Sequence, residues 1–312
     1  MSTLVEVARR AGVSKSTVSN VIQGRVAVAA GTRQKVEEAI RQTGYRPNAI
    51  ARSLRARTSH SIGMIVPDLA NPFHAALSVA VERAAKQHGY ATLVAHTDCS
   101  PEIEDEVSRA LFERRVDGVV IAGLSTGSEV PVNLLDNGIP VVLASFGGPK
   151  DKRLGSVDHD DVAAMEAVVA HLHGLGHRRF AFVSQDYAEQ SGERRRQGFE
   201  QALKRRRLKP AAREDATAIV AHNDLLALDL IDEIERSGRS VPRDVSVTGH
   251  DDIPLAAHSR IGLTTVRSDA QSMGQRAIEL MMKALRAGGH VGHREIRTNR
   301  LVIRQSTGVA PS

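Results

Sequence analysis

From Ile62 onward the chain alternates short β-branched runs with stretches of helical period, and this constrains its fold more than any other feature. The extended runs are "SIGMIVP", "ATLVAHT", "VDGVVIAG", "IPVVLAS" and "LGSVDHD". Between them, "PFHAALSVAVERAAKQHG" and "EIEDEVSRALFERR" read as amphipathic helices. Strands that alternate with helices build a parallel sheet with helices over its faces. The pattern returns with "RFAFVSQ", "ATAIVAHND" and "DVSVTGHDD", so a second α/β lobe follows the first. Two such lobes facing each other leave a cleft, the usual seat of a small ligand.

The 312 residues leave room for a further domain in front of these lobes. Residues 1–60 hold 11 Lys and Arg against Glu6, Glu37 and Glu38, whereas the other 252 carry 31 basic and 33 acidic groups. A cationic head on a near-neutral body suggests a polyanion as partner. Aromatic residues make up 3% of the chain and Trp is absent, which disfavours recognition by base stacking and favours duplex DNA. Cys99 is the only cysteine, which excludes an intramolecular disulfide and a Cys-rich zinc site. No apolar run reaches the roughly 18 residues of a membrane span, and the first residues carry no secretory h-region. Together these lead us to expect a cytoplasmic, nucleoid-associated protein with no membrane partner.

Within the head, "LVEVARRAG" puts Leu4, Val7, Ala8 and Ala11 on one helical face and ends at Gly12. Ser14 is a suitable N-cap for a second helix from Lys15, in which Val18, Val21 and Ile22 repeat at helical spacing. A tight turn between two short helices reads as a helix-turn-helix, whose second helix offers its first residues to the major groove. A third helix is expected at about Thr32–Gly44. Beyond it, "YRPNAIARSLRAR" begins a short basic helix at Pro47 whose large apolar residue is Leu54. Leu54 suits a wedge between base pairs in the minor groove, or it is a stray leucine on a flexible linker.

The stretches "LVEVARRAGVSKSTVSNVIQG", "YRPNAIARSL" and "IGMIVPDLANPF" resemble the lactose-repressor (LacI/GalR) family of bacterial regulators, over nearly the whole chain. The resemblance implies a repressor that binds a pseudo-palindromic operator as a homodimer and answers to a small effector, a sugar or related metabolite. It implies a head at 1–46 and a hinge helix and linker at 47–60. The first lobe would be 61–156 with 268–297, and the second 157–267 with 298–312. By position, Lys15, Ser16, Thr17, Ser19, Asn20, Asn48, Arg52 and Leu54 would contact DNA, with Ala51 letting the hinge helices pack closely. Phe73, His74, Ser145, Arg195, Asn223 and Asp251 would line the effector cleft, with no cofactor or metal. Asn223 and Asp251 also fit as turn or capping residues at strand ends.

Four departures from the family pattern stand out. Asn20 occupies a position where Arg is common, and Asn reads adenine where Arg prefers guanine. Ala29 replaces a capping Ser, at a cost of about 0.5–2 kcal/mol unless Gly31 or Thr32 substitutes. Ser145 replaces an acid found in several sugar-responsive members. Between Gly198 and Asn223 the chain lacks about one strand and one helix at ordinary element lengths. We expect the outer edge unit of the second lobe to be missing near 205–216, leaving that lobe smaller and less stable and its effector response in doubt.

Enzyme readings find little support, because the chain has no P-loop, dinucleotide fingerprint or nucleophile elbow. "HLHGLGH" sets His171 and His173 on opposite sides of a helix and reads as surface helix and cap, not as a metal site. A solute-binding protein would carry a signal peptide and no basic head. "KRRRLK" at Lys204–Lys209 reads as a solvated helix end or a second DNA-contacting patch.

Overall fold

The computed structural model describes residues 2–23, 28–45, 58–145, 151–184 and 190–311. They form two compact units that divide between Ser59 and His60. Asn48, Ala51, Arg52 and Leu54 lie outside the described residues, as does nearly all of the expected hinge helix.

Three helices make the first unit: α1 (Leu4–Ala11), α2 (Lys15–Gln23) and α3 (Ala30–Thr43). The Thr3 hydroxyl caps α1, and Gly12 ends it at φ +66°, a left-handed conformation that glycine adopts without strain. The Ser14 hydroxyl accepts from the Thr17 N–H at 3.1 Å, which makes Ser14 the cap of α2. Val7, Ala8, Ala11, Val18, Val21, Val36 and Ala39 fill the core, with Leu4, Val13, Ile22, Val28, Ile40 and Tyr45 around it. α3 starts two residues earlier than expected, and Ala29 before it supplies no side-chain cap. Neither Gly31 nor Thr32 replaces the missing hydroxyl; the Thr32 N–H is taken by the Ala29 carbonyl.

The second unit is α/β. Its larger sheet has six parallel strands in the order β10-β5-β4-β3-β1-β2. These are β1 (Ser61–Val66), β2 (Ala91–His96), β3 (Gly118–Ile121), β4 (Val141–Ala144), β5 (Gly155–His159) and β10 (Arg294–Arg297). Thus β5 stays in this sheet as far as His159, past residue 156. The central strands are buried on both faces and rich in Val and Ile, as parallel strands covered by helices require. Helices α4 (Pro72–Gln87), α5 (Pro101–Glu113) and α6 (Val130–Asp136) link the strands. A returning helix, α10 (Ala270–Arg286), crosses α4 closely at Gly274, where a methyl group would come within 2.6 Å of the Ala80 Cβ.

The smaller sheet has three parallel strands, β6 (Phe180–Val183), β7 (Ala218–Ala221) and β8 (Ser246–Thr248), in that order. Helices α7 (Asp161–Gly174), α8 (Gln190–Arg205) and α9 (Asp224–Arg236) accompany it. A separate antiparallel pair joins β9 (Thr265–Arg267) to β11 (Arg300–Val302). In β6 the Arg179 and Val183 carbonyls face β7, so Phe180 and Phe182 point their backbone polar groups outward. On that side a single bridge pairs Phe180 with Pro210, and the Ala211 N–H donates to the Phe180 carbonyl at 2.7 Å. The segment after α8 therefore touches the sheet edge once and passes directly to β7.

The chain's end corrects one expectation. His177 is fully buried, not a surface cap. Its Nδ1 bonds the Thr217 hydroxyl at 3.0 Å and its Nε2 the Ser246 hydroxyl at 3.0 Å and the Gly308 carbonyl at 3.1 Å. The C-terminal segment closes over it, with the Ala310 N–H donating to Leu175.

Candidate functional site

The head offers α2 as its reading element. Lys15 and Ser16 are exposed on the first turn, and Thr17, Ser19 and Asn20 are half-buried. The hydroxyls of Ser16 and Thr17 lie 2.7 and 2.9 Å from that of Ser14, so the N-cap and the first turn share one hydroxyl cluster. A helix N-terminus with free N–H groups, a lysine and small hydroxyl side chains is suited to phosphate and base edges.

In the second unit, Phe73, His74, Ser145, Arg195, Asn223 and Asp251 converge on one cleft, which has about 420 Å³ of space outside the atoms, open solvent at its mouth included. The positions follow from the fold, since parallel strands present their C-terminal ends to a common edge. Phe73 and His74 open α4, whose cap is the Asn71 side chain accepting from the Phe73 N–H at 2.9 Å. Ser145 follows β4 at φ +60°, and Asp251 follows β8 at φ +113°, a conformation rare outside glycine. Asn223 ends β7 and fulfils the alternative reading as well: its Oδ1 accepts from the Leu226 N–H at 2.9 Å and caps α9. Its amide nitrogen remains for the cleft.

Arg195 is the hub. It is 4% exposed and sits on the inner face of α8. Its Nη1 donates to the His222 carbonyl at 2.8 Å, its Nε to Asp161 at 3.4 Å, and its Nη2 lies 3.6 Å from Asp251. His250, fully buried, places Nδ1 3.1 Å from Asp251 and Nε2 3.7 Å from Asp161. Burial is the strongest influence on the Asp251 carboxyl and would raise its pKa. The His250 hydrogen bond and the Arg195 charge outweigh it and hold Asp251 below the ordinary range. Burial and then Arg195 hold His250 down, and burial above all draws His159 down to about 4. Asp224 moves the other way, to about 8, through burial and then the Asp251 charge, although Thr265 and the Ile253 N–H stabilise its anion. At neutral pH the cleft floor thus holds an ionised Asp251 beside Arg195, with His250 and His159 neutral next to them. Such a set offers donors and acceptors to a hydroxyl-rich ligand.

The sequence reading missed Asp68, Asn71, Ser191, His222 and Leu225 on the wall, and Asp161 and His250 behind it. Asp161 looks like an ordinary acid in the first turn of a helix, and only the packing of α7 on α8 brings it to Arg195. His250 could have been found from the "GHDD" turn that supplied Asp251.

Residues 3–48 match the family described as bacterial regulatory proteins, lacI family. Residues 59–212 match the periplasmic binding proteins and sugar binding domain of the LacI family, and 169–307 the periplasmic binding protein-like domain. The HTH-type transcriptional regulator reg1 of Streptomyces lividans is 33% identical, covering 99% of this chain and 97% of that one. The chain belongs to the LacI family. The HTH-type transcriptional repressor PurR of Photobacterium profundum is 30% identical, with 98% of each chain covered. A crystal structure of the lac repressor dimer bound to operator and the anti-inducer ONPF superposes with a TM-score of 0.87. It is 26% identical and covers 98% of this chain and 99% of that one. As a LacI-family member the protein is a DNA-binding transcriptional regulator and not an enzyme. The reg1 alignment spans 341 positions against 312 residues here, so that relative has positions this chain lacks.

Proposed function

We propose that the protein is a repressor that binds a pseudo-palindromic operator as a homodimer and is controlled by a sugar or related metabolite in the cleft. The carrying observation is the convergence of six side chains on one polar cleft around a buried Arg195. Residues 1–46 act as the reading head, 47–60 as the connector, and the two lobes as the sensor. Lys15, Ser16, Thr17, Ser19 and Asn20 read the major groove, with Asn48, Arg52 and Leu54 as further contacts. Effector binding then changes DNA affinity through differential binding to two lobe arrangements, typically worth about 1–3 kcal/mol.

A groove on α4 and α10 supports the dimer. Ala75, Ala76, Val79, Ala80 and Ala84 line its floor, with Arg83, Gln87, Gln271 and Gln275 around them, and Val79 is 47% exposed. The outer strand β2 exposes Leu93 and Val94 as well. Apolar surface of this kind is suited to a second copy. Light scattering at micromolar concentration checks the dimer, and a monomer there overturns it.

Selection of bound sequences from random duplexes, followed by calorimetry with a panel of sugars and nucleobases, tests the whole reading. The expected result is a two-fold-symmetric site, a base preference opposite Asn20, and heat from one ligand class that Asp251→Asn abolishes. Leu54→Ala should weaken specific binding more than non-specific binding. A second reading follows from the three-stranded small sheet: a regulator that holds its operator but has lost effector control. Retained operator binding with no heat from any ligand would favour that reading.

A further inference from the structure

The short segment between α8 and β7 collects positive charge. Lys204 ends α8 among Arg205, Arg206 and Arg207, and Lys209 follows. The Phe180–Pro210 bridge brings this segment against Arg179 at the start of β6, with Arg178 next to it. The His173 imidazole on the last turn of α7 is held below its ordinary pKa by burial, then by Arg178 and Arg206, which places both cations near it. The end of the second lobe away from the cleft therefore carries a group of cations, with Glu166, Glu214 and Asp215 interspersed.

Its acids are unevenly matched to it. Glu166 pairs with Arg205 at 3.2 Å and with Arg206 at 2.6 Å, and Arg213 pairs with Glu233. Glu214 and Asp215 are exposed on the same segment. Among the described residues, Arg178, Arg179, Lys204, Arg207 and Lys209 have no ion-pair partner. Two of them are nevertheless fixed in place. The Arg178 Nη1 donates to the carbonyls of His173 at 3.1 Å and His177 at 2.8 Å, and the Arg179 Nε donates to the Asp215 carbonyl at 2.7 Å. Main-chain carbonyls orient a guanidinium without neutralising it. The remaining N–H groups keep the fork geometry that matches phosphate oxygens, and less side-chain entropy is lost when they engage.

The geometry points to a second nucleic-acid contact: Arg178, Arg179, Lys204, Arg207 and Lys209 form a phosphate-binding face for duplex DNA, separate from the helix-turn-helix. We take the contact to be with the phosphate backbone, because exposed Lys and Arg side chains with no aromatic ring beside them among the described residues suit phosphate oxygens. The segment follows α8 in the lobe whose sheet has three strands.

The test loads the full-length protein stoichiometrically with its selected operator, then adds a labelled duplex of unrelated sequence and follows fluorescence anisotropy. The loaded wild type should bind the second duplex, with affinity falling steeply with salt. In Lys204→Gln/Arg207→Gln/Lys209→Gln the three replaced side chains hold no other part of the lobe in place. This variant should bind about tenfold more weakly or worse. Its slope of log affinity against log salt should be shallower by roughly 0.9 for each phosphate left unneutralised. Arg178→Gln/Arg179→Gln should do the same with the operator affinity retained. A loaded wild type that takes up no second duplex at low salt overturns the proposal, as does a triple variant that binds like wild type. Capture by anionic phospholipid vesicles without capture of duplex also overturns it. If no operator is found, the dimeric-operator reading fails instead, and comparing wild type with variants on the unrelated duplex still decides the face.

Discussion

The two sheets of the sensor unit are built to one plan and differ in size. Six parallel strands in the first bury β1, β3 and β4 between neighbours, whereas three in the second leave β6 as an edge with one bridge to Pro210. Yet the second lobe contributes Arg195, Asn223 and Asp251 to the cleft, with Asn223 and Asp251 just past the ends of β7 and β8 and Arg195 on α8. In a doubly wound lobe the ligand edge is set by the inner strands, and the outer strand mainly shields their flank. The exposed edge at β6 thus lacks such a shield, and the cleft residues stand without it. The small lobe must then rely more on its polar core than the large one does.

Removing that core gives the largest expected effect. Arg195→Met leaves Asp161 and Asp251 buried without their cation, and breaking a buried pair this way costs about 3–5 kcal/mol. Urea unfolding should lose that much, with hydrogen exchange rising in β6–β8 well before β1, β3 and β4. Equal loss of protection in both sheets would end the contrast between the lobes.

The pH dependence comes next. Asp224 keeps its proton up to about pH 8 in the native state, whereas the unfolded chain releases it near 4. The folded state therefore binds more protons across that interval, and the Asp224 contribution to stability falls as pH rises. His159, lowered to about 4, and His250 and His177, also lowered, act oppositely: below about 6.5 the unfolded chain takes up protons that the native state refuses. Stability should peak near pH 6.5 and fall by about 2 kcal/mol toward pH 8, at about 1.4 kcal/mol per unit. Asp224→Asn should flatten the alkaline limb alone, as thermal melts across this range would reveal. A limb unchanged in the variant assigns the effect elsewhere.

The smallest effect serves as a control outside both lobes. Ala29→Ser restores a hydroxyl at the start of α3, where no side chain caps the helix, and should stabilise the head by about 1 kcal/mol. Melting followed by head-specific probes would measure it, and β1–β8 should be unaffected.

Much of the architecture was legible because helical and strand periods differ and the runs are short and clean. The three helices of the head and the alternation of the body come from local pattern, whereas the expected shortfall after Gly198 rested on the family resemblance. The convergence of Phe73, His74, Ser145, Arg195, Asn223 and Asp251 came from matched motifs, not from chemistry that a single residue displays. The charge network behind them was not legible, because Asp161 and Arg195 are 34 residues apart and meet only once α7 and α8 pack. His177 was misread for a similar reason: its partners at Thr217, Ser246 and Gly308 lie 40, 69 and 131 residues away. Topology, not periodicity, buries it.

The bridge between Phe180 and Pro210 has a practical consequence. A segment joined to its sheet at one rung, on an edge away from the cleft, can take inserted sequence without disturbing the cleft, although an insertion beside Lys209 would cover the cationic face. Added chain there could extend β6 rather than interrupt it. A fluorescent module inserted next to Pro210 would sit on the lobe that carries Arg195 and Asp251, and would report on any ligand that the proposed cleft takes up.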